Sequence, residues 1–325
     1  MSVRILTGDC RNVLATLPAE SVQTCVTSPP YFGLRDYGHE EQIGQEADPT
    51  AYVGAIVEVF RGVHRVLRDD GTAWLNIGDS YAATTKTPGR NDAGRNFTGG
   101  GGNKLGSGNP GRQHVVKRDM EGAKPKDLLM IPARVALALQ TDGWYLRSDI
   151  IWHKPNPMPE SVTDRPTSAH EHVFLFSKNS RYFYDANAVR ERREPDSLRR
   201  STLYGANPSS SKLNPDRNDG GRGGSMGFGG NIAGRNLHNV WTIAAQPFRG
   251  AHFATMPRGL VERCILAGSR SGDTVLDPFG GAGTTGLVAD RLGRSAVLIE
   301  LNPAYAAMAR DRVTADAGLF AEVAS

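Results

Sequence analysis

The segment that most constrains this chain runs from residue 273 to residue 300. Asp273-Thr274-Val275-Leu276-Asp277 reads as a strand, Pro278-Phe279-Gly280-Gly281-Ala282-Gly283 as a tight turn, and 284–292 as a helix. A strand over 296–300 completes a βαβ unit, and a helix over 258–267 precedes it. Such units build parallel sheets whose ligands sit beyond the carboxyl ends of the strands. Glycines 280, 281 and 283 let the backbone turn sharply and approach a ligand, while the N–H groups at the helix start face it. Glu300 ends the next strand, where a carboxylate can accept both hydroxyl hydrogens of a ribose. A nucleoside-containing cofactor is implied.

The amino-terminal part has the same rhythm. Residues 3–9 form a β-like run, followed by a helical pattern carrying Val13, Leu14 and Leu17 and stopped by Pro18. A strand over 22–27 then leads straight into Ser28-Pro29-Pro30, so Asp9 and Ser28 both lie at strand ends. Residues 52–67 place Val53, Ile56, Val57, Phe60, Val63, His64 and Leu67 on one helix face, and Asp69-Asp70-Gly71 breaks the helix before a strand over 72–77. A helix over 131–140 and strands over 145–152 and 172–177 follow. The expected fold class is α/β, a Rossmann-like sheet with helices on both faces, both chain ends sharing the sheet and a loop-rich middle projecting from it. At 325 residues one main domain with an elaborated insertion is expected.

Segments 88–112 and 204–236 are rich in Gly, Asn, Ser and Arg and nearly free of aliphatic residues, so they cannot order themselves alone. They are either surface loops or loops that order on nucleic acid. The net charge of +4 is too mild to decide this, although Arg190, Arg192, Arg193, Arg199 and Arg200 crowd where they can follow a phosphate backbone or simply face water. Cys10, Cys25 and Cys264 form no Cys-x-x-Cys pair, so neither a disulfide framework nor a zinc site is expected, and a reducing cytoplasm fits. With neither a signal segment nor an apolar run near the roughly 20 residues of a membrane span, a soluble protein without membrane contact is expected.

Two motifs carry chemistry. Gly281 to Gly286 satisfies G-x-G-x-x-G, which alone admits a nucleotide-dependent oxidoreductase. Asp277 puts an anion at the strand end, however, which would repel a pyrophosphate and suits the cationic amino acid moiety of S-adenosylmethionine. In Thr27-Ser28-Pro29-Pro30-Tyr31 the paired prolines fix a turn whose carbonyls point one way. An exocyclic base amine is a poor nucleophile, because its lone pair is delocalised into the ring. Acceptors held against both N–H bonds, Ser28 Oγ and the Pro29 carbonyl, would free that lone pair to attack a sulfonium methyl. Tyr31 can then stack on a base taken out of the helix. An ordinary Pro-Pro turn is the bland alternative; it loses because the motif ends a sheet strand in a chain that also has the glycine turn. Cytosine C5 chemistry would need a thiolate after proline; there is no Pro-Cys, and Cys25 reads as core. His170 and His172 lack a third metal ligand and read as hydrogen-bonded sheet residues, and Trp152 and Trp241 as packing or DNA-contacting residues.

Residues 26–31 and 277–286 resemble the catalytic and cofactor motifs of the S-adenosylmethionine-dependent amino-methyltransferases of bacterial restriction-modification systems and phages, in the permuted order of their β-class. Gly8-Asp9 is similar to the strand end that contacts the cofactor adenine, and 252–257, with Phe253, to the segment wrapping its methionine end. Residues 152–157 and 170–172 resemble the blocks that close the catalytic side. The resemblance implies catalysis by Ser28, Pro29, Pro30 and Tyr31, and cofactor binding by Asp9, Phe253, Asp277, Phe279, Gly280, Gly281, Gly283, Thr284, Thr285 and Glu300. It divides the single domain 1–325 into a catalytic half (1–80), the remaining strands with a target-recognition region (84–245), and a cofactor half (250–325). In this family a serine at the first motif position is typical of N4-methylation of cytosine, so site-specific N4-cytosine methylation of DNA is expected, with N6-adenine as the alternative. An RNA or protein-amide substrate is a lesser one. No metal is implied. Double-stranded DNA is the expected partner, in the cytoplasm of a bacterium or a phage-infected host; a cognate restriction endonuclease and a homodimer stay open.

Overall fold

The computed structural model describes residues 2–34, 39, 41–82, 124–191, 234–246, 255–317 and 322–324. It divides into two units, one of residues 1–184 and 239–325 and a small one of residues 185–238. In the small unit Asp185 Oδ1 accepts the backbone N–H groups of Asn187 and Ala188, both at 3.0 Å. An antiparallel bridge joins Glu191 to Arg235, whose Nε lies 2.6 Å from Glu191 Oε2.

The large unit is a nine-stranded sheet in the order β6-β4-β5-β3-β2-β7-β8-β1-β9. Its strands are β1 (Ser2–Thr7), β2 (Val22–Thr27), β3 (Leu67–Ile77), β4 (Tyr145–His153), β5 (His170–Ser177), β6 (Val240–Thr242), β7 (Thr274–Asp277), β8 (Ser295–Glu300) and β9 (Glu322–Ala324). Its helices are α1 (Cys10–Thr16), α2 (Pro49–Val66), α3 (Ile131–Thr141), α4 (Arg258–Gly268), α5 (Thr284–Arg291) and α6 (Pro303–Ala317). The strands from β3 to β9 in that order are mutually parallel, while β5 runs antiparallel to both β3 and β4. Both ends of the chain do share the sheet: β1 pairs with β8, Val3 opposite Ala296 through Thr7 opposite Glu300.

Period-two alternation sorts the strands onto two faces. Ala73, Leu75 and Ile77 of β3, Phe174 and Phe176 of β5, and Val297 and Ile299 of β8 join one core with the buried faces of α1, α2 and α3. Trp74 points to the other face, where its ring centroid lies 6.3 Å from that of Trp241 and a Cβ on Gly268 of α4 would come within 2.9 Å of its indole nitrogen. The helices on both faces therefore form an α/β Rossmann-like architecture. Among the described residues no helix is long and apolar enough to cross a membrane.

Element ends follow local chemistry. Asp48 caps α2 by accepting from Thr50 N at 2.7 Å and Ala51 N at 2.9 Å, with Pro49 in the first turn where its missing N–H costs nothing. The helix accordingly starts three residues before its apolar face. The break expected at Asp69-Asp70-Gly71 does not end the strand: β3 already starts at Leu67, and the register against β2 shifts between Val22 and Thr24. Gly71 permits this, since a Cβ there would lie 2.9 Å from the Arg68 carbonyl and 3.1 Å from that of Gln23. Three elements carry no strong periodic signal. β6 and β9 have three residues each, and among its described residues α6 buries only the small Ala306, Ala309 and Val313, with Arg310 Nη2 donating to Ile5 O at 2.9 Å and Arg312 Nη1 to Ala282 O at 2.8 Å.

Candidate active site

The carboxyl ends of β1, β2, β7 and β8 open into one cavity of about 1420 Å³, lined by Asp9, Ser28 to Tyr31, Asp277 to Ala282 and Glu300. Asn76, Gly78, Lys154 and Glu171 also line it, beside Ser28 and Tyr31. Small-molecule pockets usually hold roughly 300–1,000 Å³, so this one has room for a cofactor and a second group together.

The cofactor side is a backbone cradle. Gly283 caps α5 at φ +76°, a left-handed conformation that L side chains rarely adopt, and a Cβ on Gly280 would sit 3.0 Å from Leu298 Cβ, filling the space the turn uses. Glu300 Oε2 accepts Gly281 N at 2.7 Å and Oε1 accepts Asn302 N at 2.9 Å. A carboxylate offers about four lone-pair positions, so each oxygen keeps capacity for a ribose hydroxyl. Burial pushes the Glu300 carboxyl up, against the pull of these two N–H groups. Asp9 caps α1, accepting Arg11 N at 2.7 Å and pairing with the Arg11 guanidinium, which holds its carboxyl below the ordinary range.

Asp277, at the end of β7, lines the cavity. It is only 2% exposed; Oδ1 accepts from Thr27 Oγ1 at 2.6 Å and Phe279 N at 3.0 Å, and Oδ2 from Thr285 Oγ1 at 2.7 Å. Burial raises its pKa while these three donors oppose the rise. The carboxylate thus joins the end of β2 to the first turn of α5, and Thr285, fully buried, serves the same joint. Thr284 lines the cavity and its Oγ1 accepts a hydrogen bond from Arg312 Nη1 at 3.0 Å; Phe279 packs against the core. Phe253 lies outside the described residues, but Thr255 and Met256 from the same segment line the cavity.

On the catalytic side β2 delivers Ser28 to the cavity. Tyr52 of α2 donates its hydroxyl to Pro30 O at 2.9 Å, fixing the turn, and among the described residues the Pro29 carbonyl receives no donor. Tyr31 lines the cavity with its hydroxyl anchored: it donates to Glu171 Oε2 at 2.6 Å, with Asn76 Oδ1 at 3.3 Å and Ser28 Oγ at 3.5 Å. Asn76 Nδ2 donates to the same Glu171 oxygen at 3.1 Å, and Lys154 Nζ pairs with the other. Gly78 leaves room for the Tyr31 ring, since a Cβ there would fall 2.7 Å from Cε2. Asn76, Gly78 and Tyr52 escaped the sequence reading. A lone asparagine inside the apolar run Trp74-Leu75-Asn76-Ile77 was the available signal. His172 Nδ1 lies 2.9 Å from Asp149 Oδ1, and no group of three metal-ligating side chains forms among the described residues. Trp152 and Trp241 are buried, and Trp152 Nε1 donates to Ile243 O at 2.8 Å.

A family model described as DNA methylase matches residues 22–311. The Type II methyltransferase M.Cfr9I of Citrobacter freundii is 45% identical over 307 residues, 94% of this chain and 86% of that protein. M.SmaI of Serratia marcescens, also a Type II methyltransferase, is 42% identical over 313 residues, 96% of this chain and 91% of its own. Among solved structures, PvuII DNA methyltransferase, described as cytosine-N4-specific, is similar with a TM-score of 0.61 at 20% identity, covering 96% of this chain and 87% of that one. A Thermus thermophilus protein complexed with S-adenosyl-L-methionine is similar with a TM-score of 0.58 at 23% identity, over 99% of this chain and all of the other. At those identities the two structures speak for the fold.

Proposed function

The chain belongs to the DNA methylase family, and we propose that it methylates the exocyclic N4 of cytosine at one short recurrent site in double-stranded DNA. It is a Type II, restriction-modification DNA amino-methyltransferase, and its cofactor is S-adenosylmethionine. The observation that carries the N4 reading is Ser28, presented at the end of β2 beside the Pro29 carbonyl in the cavity that also contains the glycine cradle. The cytosine-N4-specific PvuII enzyme, similar in fold, supports the same choice.

When bound, S-adenosylmethionine supplies an electrophilic methyl group. Glu300 is read as holding the ribose, Asp9 and Phe253 the two ends of the cofactor, and Phe279 with Gly280, Gly281, Gly283 and Thr284 the methionine and sugar. Asp277 and Thr285 act through the turn they join. Ser28 Oγ and Pro29 O accept the two amine N–H bonds and draw the nitrogen toward tetrahedral geometry, freeing its lone pair. Pro30 keeps the turn rigid, and Tyr31 abuts the base. A restriction endonuclease specific for the same unmethylated site is the protein partner this reading proposes, in the cytoplasm of a bacterium or infected host; a homodimer would show in sedimentation.

The test is expression in a methylation-free bacterial host followed by sequencing of its native genome with a method that separates N4-methylcytosine from N6-methyladenine. N4-methylcytosine in one recurrent context is expected. N6-methyladenine there would overturn the cytosine assignment, and no mark, with cofactor binding measured separately, would move the substrate to RNA or a protein amide.

A further inference from the structure

Around Ser28 lies a chain of hydroxyl and carboxylate groups whose hydrogen-bond directions are fixed by chemistry. Glu171 is 15% exposed, pairs with the Lys154 ammonium through Oε1 and receives Asn76 Nδ2 at Oε2. A carboxylate so placed accepts and does not donate. Tyr31 has one hydroxyl hydrogen, and both of its closer neighbours, Glu171 Oε2 at 2.6 Å and Asn76 Oδ1 at 3.3 Å, are acceptors that draw it away from Ser28. Toward Ser28 the phenol therefore offers lone pairs alone. Ser28's single hydrogen turns to the phenol oxygen at 3.5 Å, a distance of the kind that tightens when substrate binds.

We propose that Glu171, on β5, is a positioning residue that sets the hydrogen-bond direction at Ser28, so that the serine oxygen meets the substrate amine as an acceptor. This rests on the amine-methylation reading above. Without that polarity a serine is ambiguous, because a hydroxyl donates as readily as it accepts. A donating Ser28 would compete for the amine lone pair that the reaction needs. With it, a neutral serine is held as a one-way acceptor facing an N–H bond. Asn76 and Lys154 hold Glu171, and Gly78 leaves room for the Tyr31 ring.

The test is a double-mutant cycle on the full chain, measured as labelled methyl transfer from S-adenosylmethionine to DNA carrying the target site. In Glu171→Gln the amide oxygen stays with Lys154, so the amide NH2 faces Tyr31. The tyrosine hydrogen then loses its main acceptor and is shared between Asn76 Oδ1 at 3.3 Å and Ser28 Oγ at 3.5 Å, so the direction at Ser28 is no longer fixed. The expected result is a fall in kcat of about ten-fold or more, with KM for DNA and cofactor Kd within about two-fold. Tyr31→Phe removes the relay and lets Ser28 rotate, costing about five-fold. The double variant should be no slower than Tyr31→Phe alone. Losses that multiply, or a Glu171→Gln variant that loses cofactor affinity as much as turnover, would overturn the role, as would full activity in Tyr31→Phe, which is informative even if Glu171→Gln misfolds. If the wild type moves no methyl to any DNA amine, the function reading fails first and this role falls with it.

Discussion

The two walls of the cavity are built in different ways. The cofactor wall is mainly local: Asp277, Phe279, the glycines, Thr284 and Thr285 fall within ten consecutive positions, joined by Glu300 19 positions after Gly281 and by Asp9 and Thr27 from the other end of the chain, and its polar groups are held mostly by backbone N–H groups and short hydroxyls. The catalytic wall is assembled, with Ser28 and Tyr31 following β2, Asn76 on β3, Lys154 following β4 and Glu171 on β5. Its bonds join residues 45, 95 and 140 positions apart. A local wall is set by the conformation its sequence prefers, whereas an assembled wall depends on strand register, and a slip of one residue would turn every side chain to the opposite face.

Four experiments break or sharpen this contrast. Ser28→Ala removes an acceptor from the assembled wall and leaves the cradle intact, so kcat should fall about 100-fold or more with cofactor Kd nearly constant. Equal losses in calorimetric cofactor binding would mean that the walls are not separable. Gly283→Val attacks the local wall instead. A β-branched residue at φ +76°, with its Cβ 3.0 Å from that of Ala309, should cost about 1–3 kcal/mol of stability and most of the cofactor affinity. Unchanged affinity and melting would show that the turn tolerates other geometry.

The third experiment uses pH. Asp9 and Asp277 have opposite shifts: the Arg11 hydrogen bond lowers one, and burial raises the other. A carboxyl with a lowered folded value contributes stability above its unfolded pKa and loses it as pH falls through the folded value. One with a raised folded value contributes below its unfolded pKa and loses it as pH rises through the folded value. Measured against the wild type, Asp9→Asn should therefore become relatively less stable as pH rises from about 3 to 7, and Asp277→Asn relatively more stable. Parallel melting curves for the two variants would refute the opposed environments. The smallest effect is expected for Tyr52→Phe, which deletes one hydroxyl donor to Pro30 O and should cost about 1 kcal/mol and a few-fold in kcat. An unchanged kcat would mean that the prolines hold the turn without it.

The same contrast explains what was legible. Strand, glycine turn and helix are local signals, as are the β-branched run of β2 and the apolar faces of α2 and α3, and the sheet halves followed from them. β6, β9 and α6 were not legible, because three-residue strands are too short for a period and the buried Ala306, Ala309 and Val313 of α6 are too small to stand out among its other alanines. The strand start at Leu67 was hidden because Asp69-Asp70-Gly71 has the composition of a turn and serves as a register shift. Ser28 and Tyr31 were visible as a motif, but the hydroxyl of Tyr31 finds its partner on a strand 140 positions away, and no spacing rule reaches that far.

Asp277 ties the two walls together at one point. Thr27, one residue before Ser28, and Thr285, in the first turn of α5, hang on opposite oxygens of a single buried carboxylate. An occupant that moved the helix start would press on the footing of the serine through this joint, and a base seated against the serine would press back. Free energy exchanged through such a joint is reciprocal: whatever factor the cofactor adds to the affinity for DNA, DNA adds to the affinity for the cofactor. The order in which the two ligands arrive then affects the kinetics, while the stability of the ternary complex stays the same.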